Sequence, residues 1–285
     1  MTSTTLPSQP AAASKAAVES AIKESVNEGA STSSNADASE MASSDQAGDE
    51  SIRTVFDDKE DFNVKHPLYN VWTLWFDNPS HKNASAAKGS KDSWGEDLNK
   101  VVTFDSVEEF WGLYNNIIPP SELPQKANYY LFKEGIQPAW EDPANANGGK
   151  WSIQLPRDKS RKDIDKLWLY TMLSAIGETL ETTPTSPNSE DLSELITGVI
   201  MSARSNFYRI AIWTRKSDDP ASVPGGDAAA VQDVVKRLMA IGQKFKTEIL
   251  GFAPEQKLGG QGLMTDVEYQ SHTESEKKKG RKITV

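Results

Sequence analysis

Two tryptophans in polar loops are the first residues that could do chemistry. Trp94 stands in Asp92-Ser93-Trp94-Gly95-Glu96, and Trp140 stands in Gln137-Pro138-Ala139-Trp140-Glu141-Asp142-Pro143. A loop indole can fold back onto the core; left exposed, it is a stacking platform for a flat ligand. The carboxylate that follows Trp140 adds direction. A carboxylate there, Glu141 or Asp142, can accept two hydrogen bonds from a guanine edge, whose N1–H and N2–H are donors, and it suits adenine's acceptor-rich edge less well. Basic residues form the second candidate group. In the run Tyr208 to Arg215, Arg209, Ala211, Trp213 and Arg215 share one strand parity, while Tyr208, Ile210, Ile212 and Thr214 share the other. The apolar parity should meet the body of the fold, which leaves Arg209 and Trp213 together on the open face. Arg204 precedes that strand, and Lys150 follows Gly148-Gly149 at a loop mouth. These bases are either solvated surface or a cluster for a phosphate chain, where arginine forks and lysine point charges both serve.

The remaining chemistry is negative. His66, His81 and His272 match no metal-ligand spacing, and the chain has no cysteine. No nucleophile elbow, Walker loop or dinucleotide fingerprint occurs, and Gly259-Gly260-Gln261-Gly262 lacks the Lys-Thr and following helix of a phosphate cradle. An enzyme, such as a glycosidase working with aromatic platforms and paired acids, has little to stand on.

Short, alternating or β-branched runs predict strands at Tyr69 to Phe76, Lys100 to Phe104, Tyr129 to Lys133, Lys150 to Leu155, Tyr208 to Arg215 and Thr247 to Phe252. Three helices separate them. The first follows Phe104, with a capping box from Asp105 and Glu108 or from Ser106 and Glu109, and a stripe of Val107, Phe110, Trp111 and Tyr114. The second covers about Lys162 to Glu181 and the third about Ala228 to Lys246. Many strands at hairpin spacing with interleaved helices predict an α+β fold, one antiparallel sheet with helices on one face. Polar loops are expected at 81–97 and 182–193.

Composition bounds the rest. Of the net charge of −10, residues 1–50 carry −6 from eight acidic and two basic residues, are rich in Ala, Ser and Thr, and lack aromatics. That segment is expected to be a disordered acidic tail, followed by one domain over 51–272 and a basic flexible tail over 273–285. The acidic balance argues against a nonspecific RNA coat, which works through many phosphate contacts. No apolar run reaches the roughly 18 residues of a membrane helix, and no secretory signal is expected, since no basic patch is followed by an apolar stretch; Asn83-Ala84-Ser85 is read as a chance glycosylation match. The absence of cysteine suits a reducing compartment.

Several segments, in order, resemble the eukaryotic translation initiation factor 4E family of messenger-RNA cap-binding proteins. They are His66-Pro67-Leu68-Tyr69-Asn70-Val71-Trp72-Thr73-Leu74-Trp75-Phe76, Phe104-Asp105-Ser106-Val107-Glu108-Glu109-Phe110-Trp111, Leu131 through Asp142, Gly148-Gly149-Lys150-Trp151 and Ile210-Ala211-Ile212-Trp213-Thr214. The resemblance covers Lys65 to His272 and implies a curved eight-stranded antiparallel sheet with three long helices on its convex face. It implies that Trp94 and Trp140 sandwich the 7-methylguanine, that Glu141 takes its N1–H and N2–H, and that Trp213 meets the N7-methyl side. Arg204, Lys150 and Arg209 are implied to face the phosphates. A methylated, cationic purine between two indoles gains about 2 kcal/mol or more when desolvated. The family often has Arg where Lys150 stands, and Lys where Asn206 and Arg209 stand.

On the convex side the resemblance implies a docking patch of His66, Pro67, Val107, Trp111 and Leu169 for a helical motif. That motif has a Tyr, four spacers, a Leu and another apolar residue, and is carried by a scaffold initiation factor and by repressors. Tyr170 stands where many members have Glu. Leu169, about 100° around its helix from Trp168, could equally belong to a broad buried face. The expected function is non-enzymatic cap binding by a chain monomeric on its own, with no cofactor, cytoplasmic with an allowance for a nuclear fraction. The alternatives are a paralogue acting in repression or export, and a general RNA-binding domain.

Overall fold

Alternation along the strands decides the layering. In the computed structural model, which describes residues 53–54, 63–78, 98–181, 195–223, 228–259, 263–275 and 281–285, the chain forms one eight-stranded antiparallel sheet. Its strands are β1 (Pro67–Asp77), β2 (Asn99–Ser106), β3 (Asn128–Lys133), β4 (Gly149–Pro156), β5 (Ile196–Ala203), β6 (Phe207–Thr214), β7 (Glu268–Ser271) and β8 (Ile283–Thr284), in the spatial order β2-β1-β3-β5-β6-β4-β7-β8. Trp72 and Leu74, Tyr129 and Leu131, Trp151 and Ile153, and Tyr208, Ile210 and Ile212 all point to one side and join the main core. The opposite parity builds a second, smaller cluster from Tyr130, Phe132, Ile200, Ala211 and Trp213. The period of two in the sequence thus separates a helix-covered face from an open one.

The main core is closed by helices α1 (Val107–Tyr114), α3 (Ile164–Ile176) and α4 (Ala228–Lys244); two short polar turns, α2 (Arg157–Ser160) and α5 (His272–Ser275), follow β4 and β7. Of the two capping boxes the sequence offers, Ser106 with Glu109 forms its N-cap half, and the Glu109 carboxylate reaches one residue further back, to Asp105. The Ser106 hydroxyl accepts from the Glu109 N–H, and the Glu109 carboxylate accepts from the Asp105 N–H at 3.1 Å. α1 has only eight residues and buries Phe110 completely, while Trp111 and Val107 stay partly exposed. α3 buries Ile164, Trp168, Thr171, Met172, Ala175 and Ile176 along one face. The Trp151 indole N–H donates to the Leu238 carbonyl at 2.9 Å, pinning α4 to the sheet.

Three elements depart from expectation. Thr247 to Phe252 is not a strand: α4 runs on into a π-helical turn, Phe245–Ile249. The Thr247 hydroxyl donates to the Gln243 carbonyl at 2.9 Å, and Lys246, almost fully buried, donates to the Pro254 carbonyl at 2.7 Å. Phe245 and Ile249 continue the apolar stripe of α4, so burial outweighs the β preference of the Thr247 region. The central strand β5 is unpredicted because both of its faces are buried, which erases alternation. The C-terminal segment expected to be a flexible basic tail instead supplies α5 and β8. Ile283 and Val285 pack against the core while Thr284 faces outward, and the β7–β8 ladder pairs Tyr269 with Ile283. The expectations for residues 1–50, for the loop that carries Trp94 and for the 182–193 insertion fall outside the described residues.

Candidate functional site

The open face is a grid whose rows follow from the pairing registers. One row runs Gln270, Lys150, Trp213, Gly198, Phe132 across β7, β4, β6, β5 and β3. Four residues further along β4, another row runs Gln154, Arg209, Ser202, Asn128, Asp77. The predicted pairing of Arg209 with Trp213 on this face is therefore realised, and Lys150 lies directly across from Trp213.

Trp213 is only 7% exposed. Phe132 meets it edge-on, with ring centroids 5.6 Å apart and an interplanar angle of 77°, and the His272 ring lies 4.3 Å away. Gly198 permits the first contact: a Cβ there would lie 2.4 Å from the Phe132 ring. Gly148 has a similar reason, since its Cβ would sit 1.6 Å from the Thr214 carbonyl oxygen, so only glycine lets the entry to β4 approach β6 and place Lys150. His272 is 3% exposed and neither ring nitrogen has a hydrogen-bond partner among the described residues. Burial, helped by the neighbouring Lys150 charge, pushes its pKa down to about 4.

Trp140 does not fold back. It is 47% exposed in the loop between β3 and β4, and its indole N–H donates to the Glu141 carboxylate at 2.7 Å. The loop holds the two carboxylates after Trp140 differently. The Asp142 carboxylate accepts the backbone N–H groups of Gln137 and Ala144, both at 2.8 Å, so its oxygens are engaged in the loop. Asn145, fully buried, donates to the carbonyls of Gln137 and Ala139, each at 2.8 Å. These bonds staple the loop and leave Glu141 at its exposed rim. Trp94 lies outside the described residues.

The basic residues are held differently. Arg204 donates to the Asn128 side-chain oxygen and to the Ala203 carbonyl, both at 3.0 Å. Asn128 in turn donates to Asp77, which also accepts the Tyr130 hydroxyl at 3.2 Å. Asp77 and Asn128 are each 5% exposed, so a buried carboxylate backs the arginine through one amide. Burial and the adjacent Asp77 raise the Tyr130 pKa, keeping its phenol protonated as the donor. Nothing local in the sequence signals this chain; the shared parity of Asp77 on β1 and Asn128 on β3 is the only hint. Arg209 stacks over the Phe207 ring at 5.3 Å, and its pKa is lowered by burial and by Arg204. Lys150 is lowered by burial, then by Arg209 and Lys282. Neither has a carboxylate partner among the described residues, so these half-buried cations lack compensating negative charge.

The convex patch is assembled in part. The Val107 N–H donates to the His66 carbonyl at 2.9 Å, and Pro67 pairs with Ser106, so the chain entering β1 lies against the start of α1. His66 is anchored through its N–H and Nδ1 to Glu108 at 2.9 and 2.6 Å, and Lys65 pairs with Glu109. Burial would raise the Glu108 pKa, but the His66 hydrogen bonds outweigh it and lower it; the Lys65 hydrogen bond brings Glu109 down to about 2. Val107 and Trp111, one helical turn apart, are each 38% exposed, and Tyr170 is 42% exposed. Leu169 is half-buried against the main core, off the fully buried stripe.

An exposed indole beside a carboxylate, with two cations that lack a carboxylate partner among the described residues, is the equipment of a protein that binds a flat, donor-edged base carrying an anionic tail. The chain matches the family described as Eukaryotic initiation factor 4E over residues 67–284, and it belongs to that family. It is 38% identical over 224 residues to the eukaryotic translation initiation factor 4E of Candida albicans, covering 78% of this chain and 87% of that one. Among solved structures it is similar to Ascaris suum factor 4E-3 in complex with the m7G cap, with 31% identity, a TM-score of 0.55, and coverage of 77% of this chain and 98% of that chain. It is also similar to Caenorhabditis elegans factor 4E-3 in complex with the 4E-binding protein Mextli and a cap analog, with 26% identity, a TM-score of 0.53, and coverage of 77% and 100%.

Proposed function

We infer that this chain binds the 7-methylguanosine 5′ cap of messenger RNA and recruits a scaffold initiation factor to begin translation. The observation that carries the reading is the exposed Trp140–Glu141 pair at the rim of a face whose floor holds Trp213, Lys150, Arg209 and Arg204. Trp140 offers one stacking face for the methylated base, and Trp94 is assigned the other. Each stacking contact contributes about 1–3 kcal/mol, and the N7 charge adds a cation–π share of about 2 kcal/mol when desolvated. Glu141 exchanges or shares its indole N–H bond with the guanine N1–H and N2–H, since an ionised carboxylate accepts about four hydrogen bonds. The phosphates then neutralise the half-buried cations, with Arg204 pre-aimed through Asn128. Unmethylated guanosine keeps the edge contacts and loses the cation–π share, which gives selectivity for the methyl group.

The second surface is His66, Pro67, Val107, Trp111 and Leu169, offered to a helical partner with the Tyr, four-spacer, Leu-apolar motif, whether from the scaffold factor or from a repressor. The chain acts by binding, as a monomer, in the cytoplasm with a nuclear fraction. The test is retention on immobilised 7-methylguanosine triphosphate, released by the free nucleotide and not by GTP at the same concentration. Equal release by both nucleotides overturns the reading.

A further inference from the structure

Resting on the helical-partner reading of the convex patch, we propose that Lys166 and Tyr170 form a charge-selective edge of that patch, which favours partner helices carrying a carboxylate beside the motif and disfavours those carrying a base there. Both residues lie on α3, one helical turn apart, and both are exposed. The Lys166 ammonium stands over the Tyr170 ring, 5.9 Å from its centroid. At an exposed site that attraction is weak, so the ammonium stays available to a partner. The edge adjoins the patch from the α3 side. Trp111 meets Tyr114 at 5.8 Å, and the Tyr114 pKa is raised by burial and then by the charge of Asp165, which brings the end of α1 next to the start of α3. Asp165 and Leu169 share one column of α3, and the more exposed Lys166 and Tyr170 form the column beside it.

The charges around the patch are distributed unevenly. At the corner of β1 and α1, Glu108 holds the N–H and ring of His66, Glu109 pairs with Lys65, and Asp105 adds to the negative field around Lys65. On α3 the carboxylates are engaged elsewhere. Asp165 accepts from the Ser121 N–H and hydroxyl at 2.8 and 2.7 Å. Past the end of α3, Glu178 accepts from Asn70 at 2.7 Å and pairs with Lys133. Lys166 has no carboxylate partner among the described residues, and Asp163, one turn before it, makes no ion pair with it. The patch is therefore negative at its β1–α1 corner and positive at its α3 edge. A partner's base at that edge meets the ammonium with no carboxylate to shield it, a repulsive element that rejects as well as selects. A partner's carboxylate meets Lys166 and can accept from the Tyr170 hydroxyl, which makes no hydrogen bond among the described residues.

The experiment measures, by fluorescence anisotropy at low and at physiological salt, the binding of labelled helical peptides to the full chain. The peptides share the Tyr, four-spacer, Leu-apolar motif and carry Glu, Gln or Arg either one turn before or one turn after the motif's leucine. Wild type, Lys166→Gln, Lys166→Glu and Lys159→Glu are compared after thermal melts establish folding. At one of the two positions wild type should bind the Glu peptide roughly two- to tenfold more tightly than the Arg peptide, the span from an exposed ion pair to its like-charge counterpart, and added salt should shrink the difference. Lys166→Gln should abolish the preference and Lys166→Glu should reverse it, while the Gln peptide stays within about twofold in both. Lys159→Glu makes the same change of net charge on α2 and should leave the preference as in wild type. No preference for Glu in wild type at either position overturns the proposal. So does a preference that survives Lys166→Glu, and so does one that Lys159→Glu removes equally, which makes it an effect of overall charge. Failure of every peptide to bind wild type would instead bring down the partner reading, and this proposal with it.

Discussion

Trp111→Ala separates the two surfaces. Trp111 is 38% exposed on α1 and touches Phe110 and Tyr114 edge-on at 5.2 and 5.8 Å. A large aromatic side chain carries up to about 250 Å², so its open part amounts to about 95 Å². Covering that area with a partner helix is worth about 2.4 kcal/mol at roughly 25 cal/mol/Å², or about fiftyfold in affinity. The covered part of the indole also supports the fold, and truncation should cost about 3 kcal/mol of stability, the low end for an aromatic-to-alanine change. Circular dichroism and a thermal melt must therefore come first, with Trp111→Phe as the milder companion. Calorimetry with a partner peptide and a cap analogue then gives both affinities. Peptide binding should fall about fiftyfold and cap binding should stay within about threefold, because Trp111 sits on the helix-covered side while Trp213 and Lys150 belong to the opposite parity of the sheet. A folded variant that loses both ligands equally refutes the two-surface argument. Unchanged peptide affinity means that Trp111 only packs.

Three further outcomes test the site. Glu141→Gln keeps the shape but puts a donor against the guanine N–H groups; fluorescence titration should show a loss of about 3 kcal/mol in cap affinity with an unchanged melting temperature, and affinity within threefold of wild type would remove Glu141 as the acceptor. Asn128→Ala frees Arg204 and deprives buried Asp77 of a donor; stability should drop by about 1–3 kcal/mol, and the triphosphate should lose more affinity than the 7-methylguanosine nucleoside, whereas an equal loss for both would make the relay purely structural. His272 titrates near 6.5 when unfolded and near 4 when folded. Because the unfolded chain takes up the proton first, its contribution to stability is intact above about pH 6.5 and is lost as pH falls towards 4, about 2 kcal/mol between pH 7 and pH 5. Denaturant midpoints of wild type and His272→Gln should show that slope in the former only, and parallel slopes would contradict the assignment.

Much of the site was legible where side-chain chemistry is local. Trp140 next to Glu141 in a proline-bounded loop, and the alternation that puts Arg209 with Trp213, both came through, because loop polarity and a period of two survive in a one-dimensional string. The strands that failed to show are the ones without a legible period. β5 is covered on both faces, and β7 and β8 are too short to display a period. Thr247 to Phe252 looked strand-like from its residue types, yet the spacing of Phe245 and Ile249 carried it into a helical turn.

The sequence by itself determined the layering, the apolar faces, the family and the kinds of group available for stacking, edge recognition and charge. Only the tertiary structure decided which groups meet. His272 lies against Trp213, 59 positions away in the chain, and Asp77 backs Arg204 through Asn128, 51 positions from Asp77. Lys282 joins Lys150 because the last strand closes the sheet edge. Such contacts depend on strand order and register, which are set by how the whole core packs. A polar residue's own neighbours in sequence carry no record of the partner that will face it across a sheet.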